Sequence, residues 1–116
     1  MKTYIKGSSA ERELMLLLKD KGFSIARIAG SGGRRTPFDI IAIKRGNILV
    51  FEVKAWKTKP VIDKKKIEHM IRWCNNAGAI GIVAWRKDNK WFVMKINEFI
   101  NKSDRWLSLK EFIELF

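Results

Sequence analysis

The chain has 116 residues and a formal charge of +12 at pH 7, from 24 Lys and Arg against 12 Asp and Glu. That length suits one compact domain and is too short for two, while a hydrophobic content of 47% excludes a disordered basic tail and leaves a folded body that needs an anionic partner. No apolar run approaches the ~18–20 residues that span a bilayer, the start from Met1 to Gly7 has no secretory-signal pattern, and the single cysteine, Cys74, excludes an internal disulfide and a Cys-based zinc cage.

Ser8 followed by Glu11 is a capping-box pattern, and Leu14, Leu17 and Leu18 recur at helical spacing, which predicts a helix from about Ser9 to Lys21. Phe23 to Ala29 reads as a strand with Phe23, Ile25 and Arg27 on one face. Gly30 to Pro37 is a loop, rich in glycine and closed by proline. Phe38 to Ile43 and Ile48 to Ala55 are β-rich runs joined by Lys44-Arg45-Gly46-Asn47, a hairpin turn. Asp63 caps a second helix whose apolar positions Ile67, Met70, Ile71 and Cys74 stop at Gly78. Ala79 to Trp85 and Trp91 to Ile96 are two further strands, and Ser108 with Glu111 opens a short helix through Phe116. The order α-β-β-β-α-β-β-α over residues 1–116 predicts a single α/β domain, a mixed β-sheet flanked by helices.

The hairpin carries the most information about chemistry. A two-residue turn at Arg45-Gly46 sets Asp39 opposite Glu52, and a turn shifted by one residue sets Asp39 opposite Lys54. Either register leaves Asp39, Glu52 and Lys54 on one face, because strand side chains alternate. Carboxylates in directly opposed positions repel and raise each other's pKa unless a cation lies between them. A structural pair neutralised by Lys54 is the alternative to a metal site. The flanking residues Phe38, Ile40, Ile41, Ala42, Leu49, Val50, Phe51 and Val53 are nearly all apolar, however, and packing alone asks for no acid there. Hard oxygen ligands without neighbouring His or Cys suit Mg²⁺, with Mn²⁺ as a substitute, better than Zn²⁺. Lys54, two residues after Glu52, can hold an attacking water or stabilise charge developing on phosphate.

Ser8-Ser9-Ala10-Glu11-Arg12-Glu13-Leu14, Gly22-Phe23, Arg27-Ile28-Ala29-Gly30-Ser31, Asp39 and Glu52-Val53-Lys54 together resemble the archaeal and archaeal-virus Holliday junction resolvases of the PD-(D/E)xK nuclease superfamily. The resemblance implies a restriction-endonuclease-like fold. It also implies that Glu11, Asp39, Glu52 and the backbone carbonyl of Val53 surround the metal, that Lys54 assists hydrolysis, and that Arg12 and Arg27 hold phosphates. From the residues alone, Glu11 is explained by the capping box with Ser8. Pro37 stands two residues before Asp39 rather than beside it, and the loop from Ser31 to Pro37 is unusually rich in Gly and Arg.

Further DNA contacts are expected from Ser31, Arg34 and Arg35 in that loop, from Lys57, and from Lys64, Lys65 and Lys66 at a helix start, where docked phosphate would offset their opposition to the helix dipole. Lys65, His69 and Arg72 form an exposed stripe, which a plain solubilising face also explains. His69 is the only histidine, which excludes two-His metal sites. Cys74 belongs to the core, and the five tryptophans are core residues by default, with a dimer interface or base stacking as the other uses. The expected protein is a cytoplasmic, homodimeric, Mg²⁺-dependent endodeoxyribonuclease that cuts four-way DNA junctions by paired nicks, with no membrane and no organic cofactor. A related nuclease acting on duplex, flap or mismatched DNA is the second reading, and a non-catalytic basic DNA-binding protein is the third.

Overall fold

The computed structural model describes residues 2–28 and 36–116. Helix α1 spans Lys2–Asp20 and ends in a turn at Gly22, whose positive φ of 91° suits glycine. It begins well before the Ser9 start expected from the capping box, and Ser8 lies inside it. A Ser-x-x-Glu spacing marks a helix start only where something stops the preceding residues. Here a lone Gly7, which costs about 1 kcal/mol in a helix interior, does not.

Strands β1 (Ser24–Arg27), β2 (Ile40–Lys44) and β3 (Asn47–Lys54) form an antiparallel meander. Arg45 and Gly46 both have positive φ, 50° and 84°, as a two-residue primed turn requires, and Lys44 pairs with Asn47. Of the two registers open in the sequence, this turn selects the one that sets Asp39 against Glu52. Helix α2 (Lys64–Ala77) is capped by Asp63, whose side chain accepts the Lys65 N–H at 3.1 Å, and closes on Gly78 in the left-handed conformation. It crosses to β4 (Ile80–Lys87), which lies parallel to β3. Strand β5 (Lys90–Lys95) returns antiparallel to β4.

Two elements go beyond the sequence expectation: the short helix α3 (Ile96–Ile100) and the two-residue edge strand β6 (Leu107–Ser108). Helix α4 (Leu109–Ile113) opens with the expected capping box, in which Ser108 Oγ accepts the Glu111 N–H at 3.1 Å and donates to Glu111 Oε1 at 3.0 Å. It ends three residues short of Phe116.

Among the described residues the sheet runs β1-β2-β3-β4-β5-β6. Alternation along its strands separates two cores. Ile40, Ala42, Leu49, Phe51, Ile82 and Val93 pack with Leu14 and Leu18 of α1 and Phe112 of α4. On the opposite face Val50 and Val83 pack with Met70 and Cys74 of α2 and Ile96 of α3. Trp85 and Trp91 are buried, and Trp56, Trp73 and Trp106 are half-buried, so every tryptophan is at least partly in the body of the fold.

Candidate active site

Glu52 follows Phe51 on β3, so where Phe51 enters the α1/α4 core, Glu52 points to the face covered by α2. It is 2% exposed, and Asp39, immediately before β2, is 8% exposed. Two segments, β3 and the residue that follows β1, hold Asp39 through three hydrogen bonds. Its N–H donates to Phe51 O at 2.9 Å, its carbonyl accepts the Ile28 N–H at 2.8 Å, and its Oδ2 accepts the Val53 N–H at 2.7 Å. The peptide of Val53 is thus fixed against Asp39 between the side chains of Glu52 and Lys54.

Glu52 Oε2 contacts Lys66 Nζ at 2.6 Å and Lys54 Nζ at 3.3 Å, whereas Oε1 is buried without a hydrogen-bond partner. Burial pushes the Glu52 carboxyl above its ordinary value of 4.5, and the charge on Asp39 pushes it further; Lys66 and Lys54 pull it back only in part. An orphaned buried oxygen costs about 1–3 kcal/mol, and one beside a second carboxylate is the donor arrangement that a hard divalent cation satisfies. The residues present therefore fit the ion expected from the sequence. Lys54 lies over the Trp56 ring at 5.1 Å, and the Trp56 carbonyl accepts the Trp85 indole N–H at 2.8 Å, anchoring the chain that leaves β3.

Glu11 is placed differently. Its Oε1 takes Arg27 Nε at 2.8 Å on the α1 side of the sheet, and among the described residues no group of three or more His, Cys, Asp or Glu side chains forms a ready metal cage. The structure thus brings together Asp39, Glu52, Lys54 and Lys66, and separately Glu11 and Arg27. Arg12, Lys57, Lys64, Lys65 and Arg72 are exposed. Ser31, Arg34 and Arg35 lie outside the described residues. Lys66, read from the sequence as one of three lysines at a helix start where phosphate could dock, turns inward to Glu52. Its signal was present in the spacing, since Lys66, Met70 and Cys74 fall four residues apart and share the core-facing side of α2.

A family model described as archaeal Holliday junction resolvase (Hjc) matches residues 2–114. The chain belongs to that family. Within this resolvase family, the crossover junction endodeoxyribonuclease Hjc of Methanocaldococcus jannaschii is 40% identical over 98 residues, which cover 84% of this chain and 69% of that protein. The solved structure of Archaeoglobus fulgidus Hjc, titled a Holliday junction resolvase, superposes with a TM-score of 0.76 at 24% identity, covering 96% of this chain and 98% of that one. A bacterial homing endonuclease superposes with a TM-score of 0.60 at 14% identity, covering 94% of this chain and 78% of that one. These likenesses agree with the restriction-endonuclease-like mixed sheet flanked by helices. No helix among the described residues is long and apolar enough to cross a membrane.

Proposed function

We propose that this chain is a divalent-metal-dependent endodeoxyribonuclease that resolves four-way DNA junctions, with Mg²⁺ as the working ion and Mn²⁺ able to replace it. The observation that carries the reading is the pairing of Asp39 with a buried Glu52 whose Oε1 has no partner, in a chain of the junction-resolvase family. Asp39 and Glu52 would hold the ion, with the Val53 carbonyl and, after release from Arg27, Glu11 as further ligands. When bound, the ion supplies a Lewis acid beside the scissile phosphate and lowers the pKa of a water.

The protein's own groups do the rest. Lys54, held 3.3 Å from Glu52 Oε2, donates to the attacking water or to a phosphate oxygen as charge develops on it. Arg12, Arg27, Lys57, Lys64, Lys65 and Arg72, with Ser31, Arg34 and Arg35 from the loop, would hold the sugar-phosphate backbone. Phosphate contacts position a duplex without reading sequence, which suits recognition by junction shape. Two symmetric nicks need two sites related by a two-fold axis, so the working form would be a homodimer.

The test is cleavage of a labelled four-way junction and a matched duplex, with Mg²⁺ or EDTA, by the wild type, Asp39→Asn and Glu52→Gln. Metal-dependent cutting of the junction alone, lost in both variants, supports the reading. Equal cutting of duplex assigns a different nuclease specificity, and no metal-dependent cutting of either substrate removes the nuclease reading for this chain.

A further inference from the structure

The shortest contact to the Glu52 carboxylate comes from outside the Asp…Glu-x-Lys motif. Lys66 reaches from α2 to Glu52 Oε2 at 2.6 Å, while Lys54, the lysine of the motif, stands farther off at 3.3 Å. An ion pair that serves only to join a helix to a sheet gains most when both carboxylate oxygens are satisfied, because each buried orphan is a penalty. Here both ammonium groups gather on Oε2 and Oε1 is left bare. Among the described residues, two ammonium groups, those of Lys54 and Lys66, already stand on Glu52. A divalent ion arriving at this carboxylate would lie beside two charges of its own sign, and their mutual repulsion favours release of one lysine. Lys54 is packed over Trp56 and sits on the rigid strand. Lys66 is 27% exposed on the first turns of a helix, with a flexible stem and water at hand to rehydrate its ammonium.

We infer that Lys66 is a positioning residue that serves as the resident counter-cation of Glu52 in the metal-free protein, competes with the divalent ion for that carboxylate, and withdraws to the rim of the site when the ion binds. The inference rests on the metal-dependent reading of Asp39 and Glu52. It assigns the third lysine of the run Lys64–Lys66 a task that the other two, both exposed, do not share. Once displaced, its ammonium remains beside the site, where the phosphate of a bound strand is its natural acceptor.

Calorimetric titration of the intact protein with Mn²⁺ at pH 8 tests the competition. Lys66→Met should bind Mn²⁺ roughly tenfold more tightly than the wild type, the order expected for removing one partly screened unit charge from the site. Lys66→Arg keeps the charge and should stay with the wild type, and Glu52→Gln should abolish the binding. The rise in melting temperature on adding Mn²⁺ should also be larger for Lys66→Met than for the wild type, as linkage demands. A merely structural Lys66 would lower the melting temperature equally with and without metal and leave affinity alone. Affinity unchanged or weaker in Lys66→Met, with binding still dependent on Glu52, overturns the inference and leaves the site assignment standing; so does tightening by Lys66→Arg as large as by Lys66→Met. Absence of Glu52-dependent binding in both the wild type and Lys66→Met overturns the inference and the metal site together.

Discussion

Asp39 Oδ2 accepts the Val53 N–H at 2.7 Å, so the carboxylate that precedes β2 is tied to the backbone between Glu52 and Lys54. The structural role of this group and the chemical role proposed for it can be separated by substitution. Asp39→Asn keeps an oxygen able to accept that N–H and loses the charge, whereas Asp39→Ala loses both. The alanine variant should be destabilised by about 1–3 kcal/mol, the value of a part-buried hydrogen bond to a charged acceptor, and the asparagine variant by much less. Both should lose junction cleavage while still binding junction DNA. Urea denaturation beside gel-shift and cleavage assays reads all three quantities, and an Asp39→Ala variant as stable as the wild type contradicts the structural half.

Glu52 makes the site a source of instability above acid pH. Its carboxyl titrates above its ordinary value of 4.5 because burial, then the charge on Asp39, disfavour the ionised form. A raised folded-state pKa means that the folded protein holds this proton more firmly than the unfolded chain. The associated stability is complete below pH 4.5, the unfolded value, and is lost as pH rises through the raised folded value. The amide introduced by Glu52→Gln never ionises and escapes that loss. In EDTA, the melting temperature of Glu52→Gln minus that of the wild type should therefore grow as pH rises through this window and level off above it. A difference that is flat from about pH 4 to pH 8 contradicts the assignment.

The acids of the site were legible because they interrupt apolar strands, and their pairing was legible to within one residue because Arg45-Gly46 and Gly46-Asn47 are both plausible turns. Only the backbone angles at Arg45 and Gly46 choose between them. The second helix was readable at both ends, since Asp63 and Gly78 each have a local job that other residues perform poorly. Helix α3 was hidden because it starts directly after β5 with no side-chain cap, so Ile96 reads as a continuation of the strand. Strand β6 is only two residues long and has no period of its own. The contact of Lys66 with Glu52 was not read for a general reason: a charge on a helix is assigned to water by default, and its partner here is a buried carboxylate on a strand distant in sequence.

Glu11 and Arg27 test whether the second cluster is structural or functional. Their contact is 2.8 Å, but the Arg27 side chain is 45% exposed, so the pair's contribution to stability should be small. A double-mutant cycle with Glu11→Gln and Arg27→Met should return a coupling below about 1 kcal/mol in folding. The same cycle read in junction cleavage should give single-variant losses well beyond what that stability change explains. If cleavage by Glu11→Gln matches the wild type, Glu11 is no ligand and its task ends with Arg27.

Gly81 controls how closely α2 approaches the sheet. A Cβ at this position of β4 would lie 2.6 Å from Ile96 Cδ1 and 2.9 Å from Cys74 Sγ. Both neighbours are buried, at the start of α3 and near the end of α2. Gly81→Ala should thus cost about 1–3 kcal/mol through overpacking, with no change in any charged group. Removing the sulfur by Cys74→Ala should recover part of that loss, giving a favourable coupling of at least about 0.5 kcal/mol between two residues that touch. Because Lys66 rides on the same rigid helix as Cys74, the displaced α2 should also loosen the Lys66 contact to Glu52. The stability and Mn²⁺ affinity of Gly81→Ala should then change together, both moving back when Cys74→Ala is added. Gly81→Ala with wild-type stability would mean that α2 does not depend on this close approach.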